Sequence, residues 1–170
     1  MANALVRAAH LPADLGDVQR LCWAYRDHLL AYDEQVRRLA EFYYPTDVYG
    51  ALMDAMAQKY AAPGHGIVLA TQDDLAIGCG MYHPLTAEDA EIKRVFVAPE
   101  GRGTGLGQDI SQALIDAVRA DGYRRVLLDT NRVFAPARRL YEKLGFRPCG
   151  PYSDIPPDVA AQLVFYELIL

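Results

Sequence analysis

The sequence predicts an α/β (α+β) domain of about seven strands and five helices, and three observations carry that prediction. Its 170 residues are what one domain takes at roughly 150 residues per domain, so residues 1–170 read as a single domain. Apolar residues make up 52% and charged residues 23%, enough to build a core and too apolar for a disordered chain. The apolar period is helical as far as Tyr60, strand-like from Ile67 to Val97, and alternates between the two thereafter. No repeat, low-complexity stretch or interdomain linker interrupts it.

The elements follow in order. Residues 5–8 read as a first strand, and Val18, Leu21, Cys22, Tyr25, Leu29 and Tyr32 then recur at three-to-four-residue spacing as one buried helix face. A second helix, 34–44, presents Val36, Leu39, Ala40 and Tyr43 and stops at Pro45. A third starts near Asp47, with Tyr49, Leu52, Met53, Met56 and Tyr60 in phase, and the turn residues 61–66 end it. Runs 67–71 and 75–82, joined by Gln72-Asp73-Asp74, read as an antiparallel hairpin, and 90–97 as a further strand. Leu106, Ile110, Ala113, Leu114, Ala117 and Val118 form a wide stripe on a helix capped by Gly122. A strand at 124–130 follows. Pro136 suits a first helical turn, Ala137, Leu140, Tyr141 and Leu144 line one face, and Gly145 ends that helix. Residues 146–149 and 162–170 supply the last strands, with a proline-rich loop at 150–157 between them.

Composition also excludes function classes. Seventeen Lys plus Arg against 22 Asp plus Glu give a net charge of -5, so a phosphate-tracking surface is not expected and neither is a nucleic-acid partner. Cys22, Cys79 and Cys149 form no C-x-x-C, and the four histidines show no ligand spacing, so no metal and no disulfide framework is expected. Cys22 and Cys149 read as buried small residues. With no apolar run near the ~18 residues of a membrane span and no apolar signal core in the first ten residues, the expectation is a cytoplasmic protein without membrane contact. A homodimer is allowed but not required.

The motif that carries chemistry is Gly101-Arg102-Gly103-Thr104-Gly105-Leu106-Gly107, between a strand and a helix. Such a turn exposes several backbone N–H groups beside the positive end of a helix dipole and has no Cβ to hold an anion away. Phosphate binding is one reading, and a tight corner the other. Neither the G-x-G-x-x-G pattern nor the G-x-x-x-x-G-K-[ST] loop is matched.

Arg102 to Gly107 resembles the [RQ]-x-x-G-x-[GA] loop of GNAT-type N-acetyltransferases. Leu140-Tyr141-Glu142-Lys143-Leu144-Gly145-Phe146 is similar to that family's L-Y-x-K-x-G-F segment, and Glu91 to Val97 to its fourth strand. Together these cover residues 90–146. The resemblance implies a mixed, mostly antiparallel sheet with helices on both faces and a central splay between strands 4 and 5. It also implies acetyl-CoA as co-substrate, a small-molecule amine acceptor, and direct attack in a ternary complex. A module that binds coenzyme A without turnover is the alternative.

The resemblance further assigns residues. The pyrophosphate would rest on the amides of Arg102, Gly103, Thr104, Gly105, Leu106 and Gly107, and the pantetheine arm would pair with the strand edge at Phe96 and Val97. Glu91 matches the position of a general base, Tyr141 that of the proton donor to sulfur, and the Val97 N–H that of a donor to the thioester oxygen. For Glu91 a salt bridge to Lys93 or Arg94 is the other reading, and for Tyr141 core packing. Where many members carry a cofactor-binding asparagine, this chain has Phe134; the nearest asparagine is Asn131. Arg138, Arg139 and Lys143 give their helix a cationic side, from which Arg138 is the candidate phosphate contact. The acceptor is expected among Trp23, Tyr25, Tyr32, Tyr43, Tyr44, Tyr49 and Tyr60 with Asp27, Asp33, Glu34 and Asp47, although the helical stripes also make Tyr25, Tyr32, Tyr43 and Tyr60 core candidates. Tyr152 and Asp154 border the same mouth.

Overall fold

Two aspartates in left-handed conformation start the sheet: Asp73 (φ 49°) and Asp74 (φ 62°) make the tight turn between β2 (Gly66–Gln72) and β3 (Leu75–Pro84). Asp tolerates this region, and a two-residue turn with both φ positive matches the right-handed twist of the strands it joins. The computed structural model describes residues 4–170, and the sheet it shows has the order β1-β2-β3-β4-β5-β7-β6. The remaining strands are β1 (Leu5–Ala8), β4 (Asp89–Val97), β5 (Arg125–Asn131), β6 (Arg147–Cys149) and β7 (Leu163–Ile169). All neighbours pair antiparallel except β4 and β5, which run parallel.

Helices cover both faces, and residue size along β3 decides which helix goes where. Gly78 and Gly80 face α5 (Leu106–Ala120): a Cβ at Gly80 would sit 2.6 Å from Leu114 Cδ1, and one at Gly78 2.7 Å from Ile110 Cδ1. The intervening Cys79, fully buried, faces Cys22 of α1 (Leu15–Tyr32) on the opposite side. α2 (Glu34–Tyr43) folds back on α1, its N-terminus capped by Asp33, whose carboxylate accepts from Val36 N–H at 2.7 Å. The expected third helix is two pieces, α3 (Thr46–Asp54) and α4 (Met56–Tyr60). Ala55 (φ -81°, ψ -6°) separates them, yet its N–H still bonds the carbonyl of Ala51. α6 (Ala135–Lys143) follows β5. The proline-rich loop leads into one more turn of helix, α7 (Pro157–Ala160), with proline at its tolerant first position.

The feature that makes the site is a bulge. Cys79 pairs with Phe96 but Met81 with Lys93, so Gly80 opposes both Arg94 and Val95, and Arg94 takes φ 52°. A bulge bends its strand and increases its twist. Accordingly β4 and β5 pair at only three positions, Asp89–Arg125, Ala90–Val126 and Glu91–Leu127, and then part. Arg125 clamps the paired end, donating to both oxygens of Asp89 at 2.9 Å and to Glu167 at 3.1 Å. Among the described residues no helix is long and apolar enough to cross a membrane.

Candidate active site

Where β4 and β5 part, a cavity of about 550 Å³ opens, within the range of small-molecule sites. Two strand edges form its floor, α1 and α2 one wall with Tyr25, Tyr32 and Tyr43, and α6 the other with Leu140 and Tyr141.

One end is the glycine-rich loop. A short 3-10 turn (Pro99–Gly101) leads into it, Thr104 Oγ1 ties it to the carbonyl of Gly101 at 2.7 Å, and Gly103 (φ 75°) and Gly105 (φ 88°) take left-handed conformations. No protein atom crowds either glycine, so backbone conformation is what demands them. Among the described residues, none of the five consecutive N–H groups from Gly103 to Gly107 donates a hydrogen bond. Five free amides at the start of α5 form a ready anion cradle. Lys143 Nζ, bonded to Gln108 Oε1 at 2.8 Å, adds a cation beside it.

The floor offers a free strand edge. Ala98 N–H bonds the carbonyl of Ile77 on β3 at 2.8 Å, so the preceding amide, of Val97, points the opposite way, into the cleft. The Val97 carbonyl on that edge accepts from Arg102 Nε at 3.0 Å, and the Arg102 guanidinium lies 5.8 Å from the centre of the buried Phe96 ring. Across the gap Asn131 is buried. Its Oδ1 accepts from Val133 N–H at 3.1 Å, and among the described residues its Nδ2 has no partner. An unpaired amide donor on a cavity wall is a group prepared for a ligand carbonyl.

The other end is a polar cluster. Glu91 Oε1 accepts from Lys93 Nζ at 2.8 Å and from the Tyr152 hydroxyl at 2.9 Å, while Oε2 meets His83 Nε2 at 3.0 Å. Lys93 Nζ and the Tyr152 hydroxyl each also reach Asp129 Oδ2 at 3.3 Å. Burial pushes the Glu91 carboxyl up, but the hydrogen bond from His83 and the charge and hydrogen bond of Lys93 outweigh it and hold the carboxyl down to about 2. The same balance keeps Lys93 charged: desolvation acts against it, and Asp129 and Glu91 more than compensate.

Glu91 is thus held inside the cluster and away from the cavity. Every Glu91 oxygen is occupied, the side chain is 8% exposed, and Glu91 does not line the cavity; of the two readings, the salt bridge to Lys93 is present. The carboxylate on the wall is Asp129 of β5. Sequence reasoning passed it over, although a charged residue in the apolar run Val126-Leu127-Leu128-Asp129 is itself a signal. Tyr141 belongs to the core and to the cavity wall at once. Its ring packs edge-on to Phe146 (5.8 Å) in the core and also lines the cavity, with no hydrogen bond to its hydroxyl among the described residues. Desolvation, then the nearby charge of Asp129, raises its pKa, so the phenol stays protonated.

Arg138, the candidate phosphate contact, also does not line the cavity. The α6 face toward the cavity is Pro136, Ala137, Leu140 and Tyr141, and Arg138 lies off that stripe, donating to the carbonyl of Arg132 at 3.3 Å. Asp27, Asp33, Glu34, Asp47 and Asp154 are exposed and outside the cavity. Of the aromatics, Tyr49 and Tyr60 are core, whereas Tyr32 is 45% exposed and packs against Phe134 at 4.7 Å.

The sequence model of the acetyltransferase (GNAT) family matches residues 33–146. An uncharacterised N-acetyltransferase of Schizosaccharomyces pombe is 32% identical over 161 residues, covering 91% of this chain and 90% of the relative. An acetyltransferase of Streptococcus agalactiae superposes with a TM-score of 0.75 at 16% identity, over 98% of both chains. A Salmonella typhimurium protein described as a candidate acetyltransferase, solved with its cofactor acetyl-CoA, superposes at 0.67 with 20% identity, over 99% of this chain and 94% of that one. The family match spans more than half of the chain and the fission-yeast relative nearly all of it; the chain belongs to the GNAT family of acetyl-CoA-dependent acetyltransferases.

Proposed function

We propose that this protein transfers an acetyl group from acetyl-CoA to the primary amine of a small or amino-acid-like molecule, by direct attack within a ternary complex in the cytoplasm. The observation that carries the reading is the cleft itself. It has five unpaired amides at one end, a free strand edge along its floor, and a carboxylate and a protonated phenol facing the space between.

In this reading the diphosphate sits on the amides of Gly103 to Gly107, and the pantetheine arm adds to the edge of β4 as a short strand would. The Asn131 amide meets one of its carbonyls. Asp129 holds the acceptor ammonium and takes its proton. The freed nitrogen attacks the thioester carbon, so a C–N bond forms while the Val97 N–H stabilises the charge on oxygen. The C–S bond then breaks, sulfur takes the proton of Tyr141, and the second proton of the acylated nitrogen passes to the phenolate and restores it. Lys93 and Tyr152 fix Asp129, and Glu91 in turn fixes both. A carboxyl held down to about 2 is a poor proton acceptor, which supports a positioning role for Glu91.

Incubation with acetyl-CoA and a panel of amines, with free thiol as the readout, tests the activity; no thiol release above the blank with any amine would sink it. The Asp129→Asn enzyme is expected to lose about 10²- to 10⁴-fold in kcat/KM, the usual worth of a positioned base. Full activity would remove Asp129 from the reaction.

A further inference from the structure

Two cations stand side by side at the β4 bulge, and among the described residues only one of them has a carboxylate partner. Lys93 is paired with two carboxylates, Glu91 and Asp129. Arg94 is not: among the described residues no carboxylate lies within 4.0 Å of it, its Nε is buried without an acceptor, and Nη1 finds only the thioether of Met81 at 3.8 Å. Its guanidinium lies over the rings of Tyr44 and Tyr49, 5.7 and 5.6 Å from their centres. Those π-faces attract the charge and stiffen the side chain, but they offer no lone pairs in the plane of the fork. The Tyr49 hydroxyl donates to the carbonyl of Cys22 at 2.7 Å, and its remaining lone pair offers Arg94 a neutral partner, not an anionic one.

In a regular strand, neighbours point to opposite faces. The bulge breaks that alternation, and Lys93 and Arg94 both line the cavity, as does Asp129. The price is a left-handed φ of 52° at an arginine, a conformation that long side chains rarely adopt. A stacked guanidinium with no anionic partner on the wall of a cavity suits a planar oxyanion, since its fork matches a carboxylate with two parallel N–H···O bonds.

Building on the reading of this chain as an amine acetyltransferase, we propose that the acceptor carries a carboxylate that Arg94 binds while Asp129 receives its ammonium. The substrate class is an aminocarboxylate, a free amino acid or a close relative. Lys93 does not compete for the carboxylate, because Glu91 and Asp129 already satisfy it. A simple monoamine or polyamine would leave Arg94 as short of acceptors as it is now.

The test sets the common L-amino acids beside their own carboxamides, which keep the amine and the side chain but lose the charge. Binding to the protein saturated with coenzyme A is measured by calorimetry, and turnover by thiol release. The wild type is expected to prefer some acids over their amides by about 10- to 100-fold. Arg94→Gln should raise KM for the preferred acid until it matches that of the amide, with kcat within a few-fold, and Arg94→Lys should recover part of the loss. Equal treatment of acids and amides by the wild type would overturn the proposal. So would an Arg94→Gln protein, folded by its melting curve, that keeps its discrimination. If Arg94→Gln does not fold, the Lys variant carries the comparison. Acid-selective binding that Arg94→Gln abolishes, found without any thiol release, would uphold this site while the acetyltransferase reading fails; no acid-selective binding at all would end this proposal whatever the turnover.

Discussion

At the scale of single residues, Tyr141 and Glu91 differ in what their surroundings leave them free to do. Tyr141→Phe keeps the ring packed on Phe146 and Tyr166, so the apo protein should melt normally and bind coenzyme A within a few-fold of wild type, while kcat falls about 10- to 1000-fold. Unchanged kcat would return this residue to the core. Glu91 makes a prediction about stability. Its carboxyl is held down to about 2 when folded, against 4.5 ordinarily, so the folded state favours the ionised form. That contribution is complete above about 4.5 and is lost as pH falls from there toward 2. The gap in melting temperature between wild type and Glu91→Gln should therefore narrow on acidification below 4.5; a gap independent of pH would show that the ion cluster contributes nothing. The loop glycines and Tyr141 were legible in the sequence because their spacing is local. Asp129, His83 and Arg94 were not, since their roles arise from contacts between different elements, as when Asp129 of β5 meets Lys93 of β4, 36 residues away in sequence.

At the scale of elements, every strand was legible from its period, and so was each helix long enough to show a stripe. The bulge in β4 was not, because Arg94 is no glycine, asparagine or aspartate and announces no left-handed turn. The break at Ala55 and the single turn of α7 escaped for the opposite reason: they are too short to repeat. The loop before α5 makes its own prediction. At a hundredfold excess over its dissociation constant, coenzyme A should add about 2.7 kcal/mol, a melting shift of roughly 5 to 10 °C for a chain of this size. Gly105→Val should destabilise the apo protein by about 1 to 3 kcal/mol, since φ 88° strains a branched residue, and should abolish the shift. Open space surrounds the new side chain, so folding survives. An undiminished shift in this variant would clear the loop of any part in coenzyme binding.

At the scale of the whole molecule, the parting of β4 from β5 divides the sheet where the chain itself divides. Strands β1 to β4, with α5 packed on them, come from the first 120 residues, and β5, β7 and β6 from the last 46. Three ladder pairs, the Arg125 clamp, the backbone bonds to the Glu88 carbonyl and the polar contacts of Lys93 with Asp129 and of Tyr152 with Glu91 stitch the two parts together. Such a seam should let the C-terminal block open without global unfolding. Native-state hydrogen exchange of the free protein is expected to resolve two cooperative units, with the amides of β5 and β7 released at lower free energy than those of β2 and β3; one common isotherm would refute this. A ligand lying along Val97 and reaching Asn131 bridges the seam, so it should raise the weaker unit most. The protein free of coenzyme A is then the form that proteases find, its half-life following the supply of its own acyl donor.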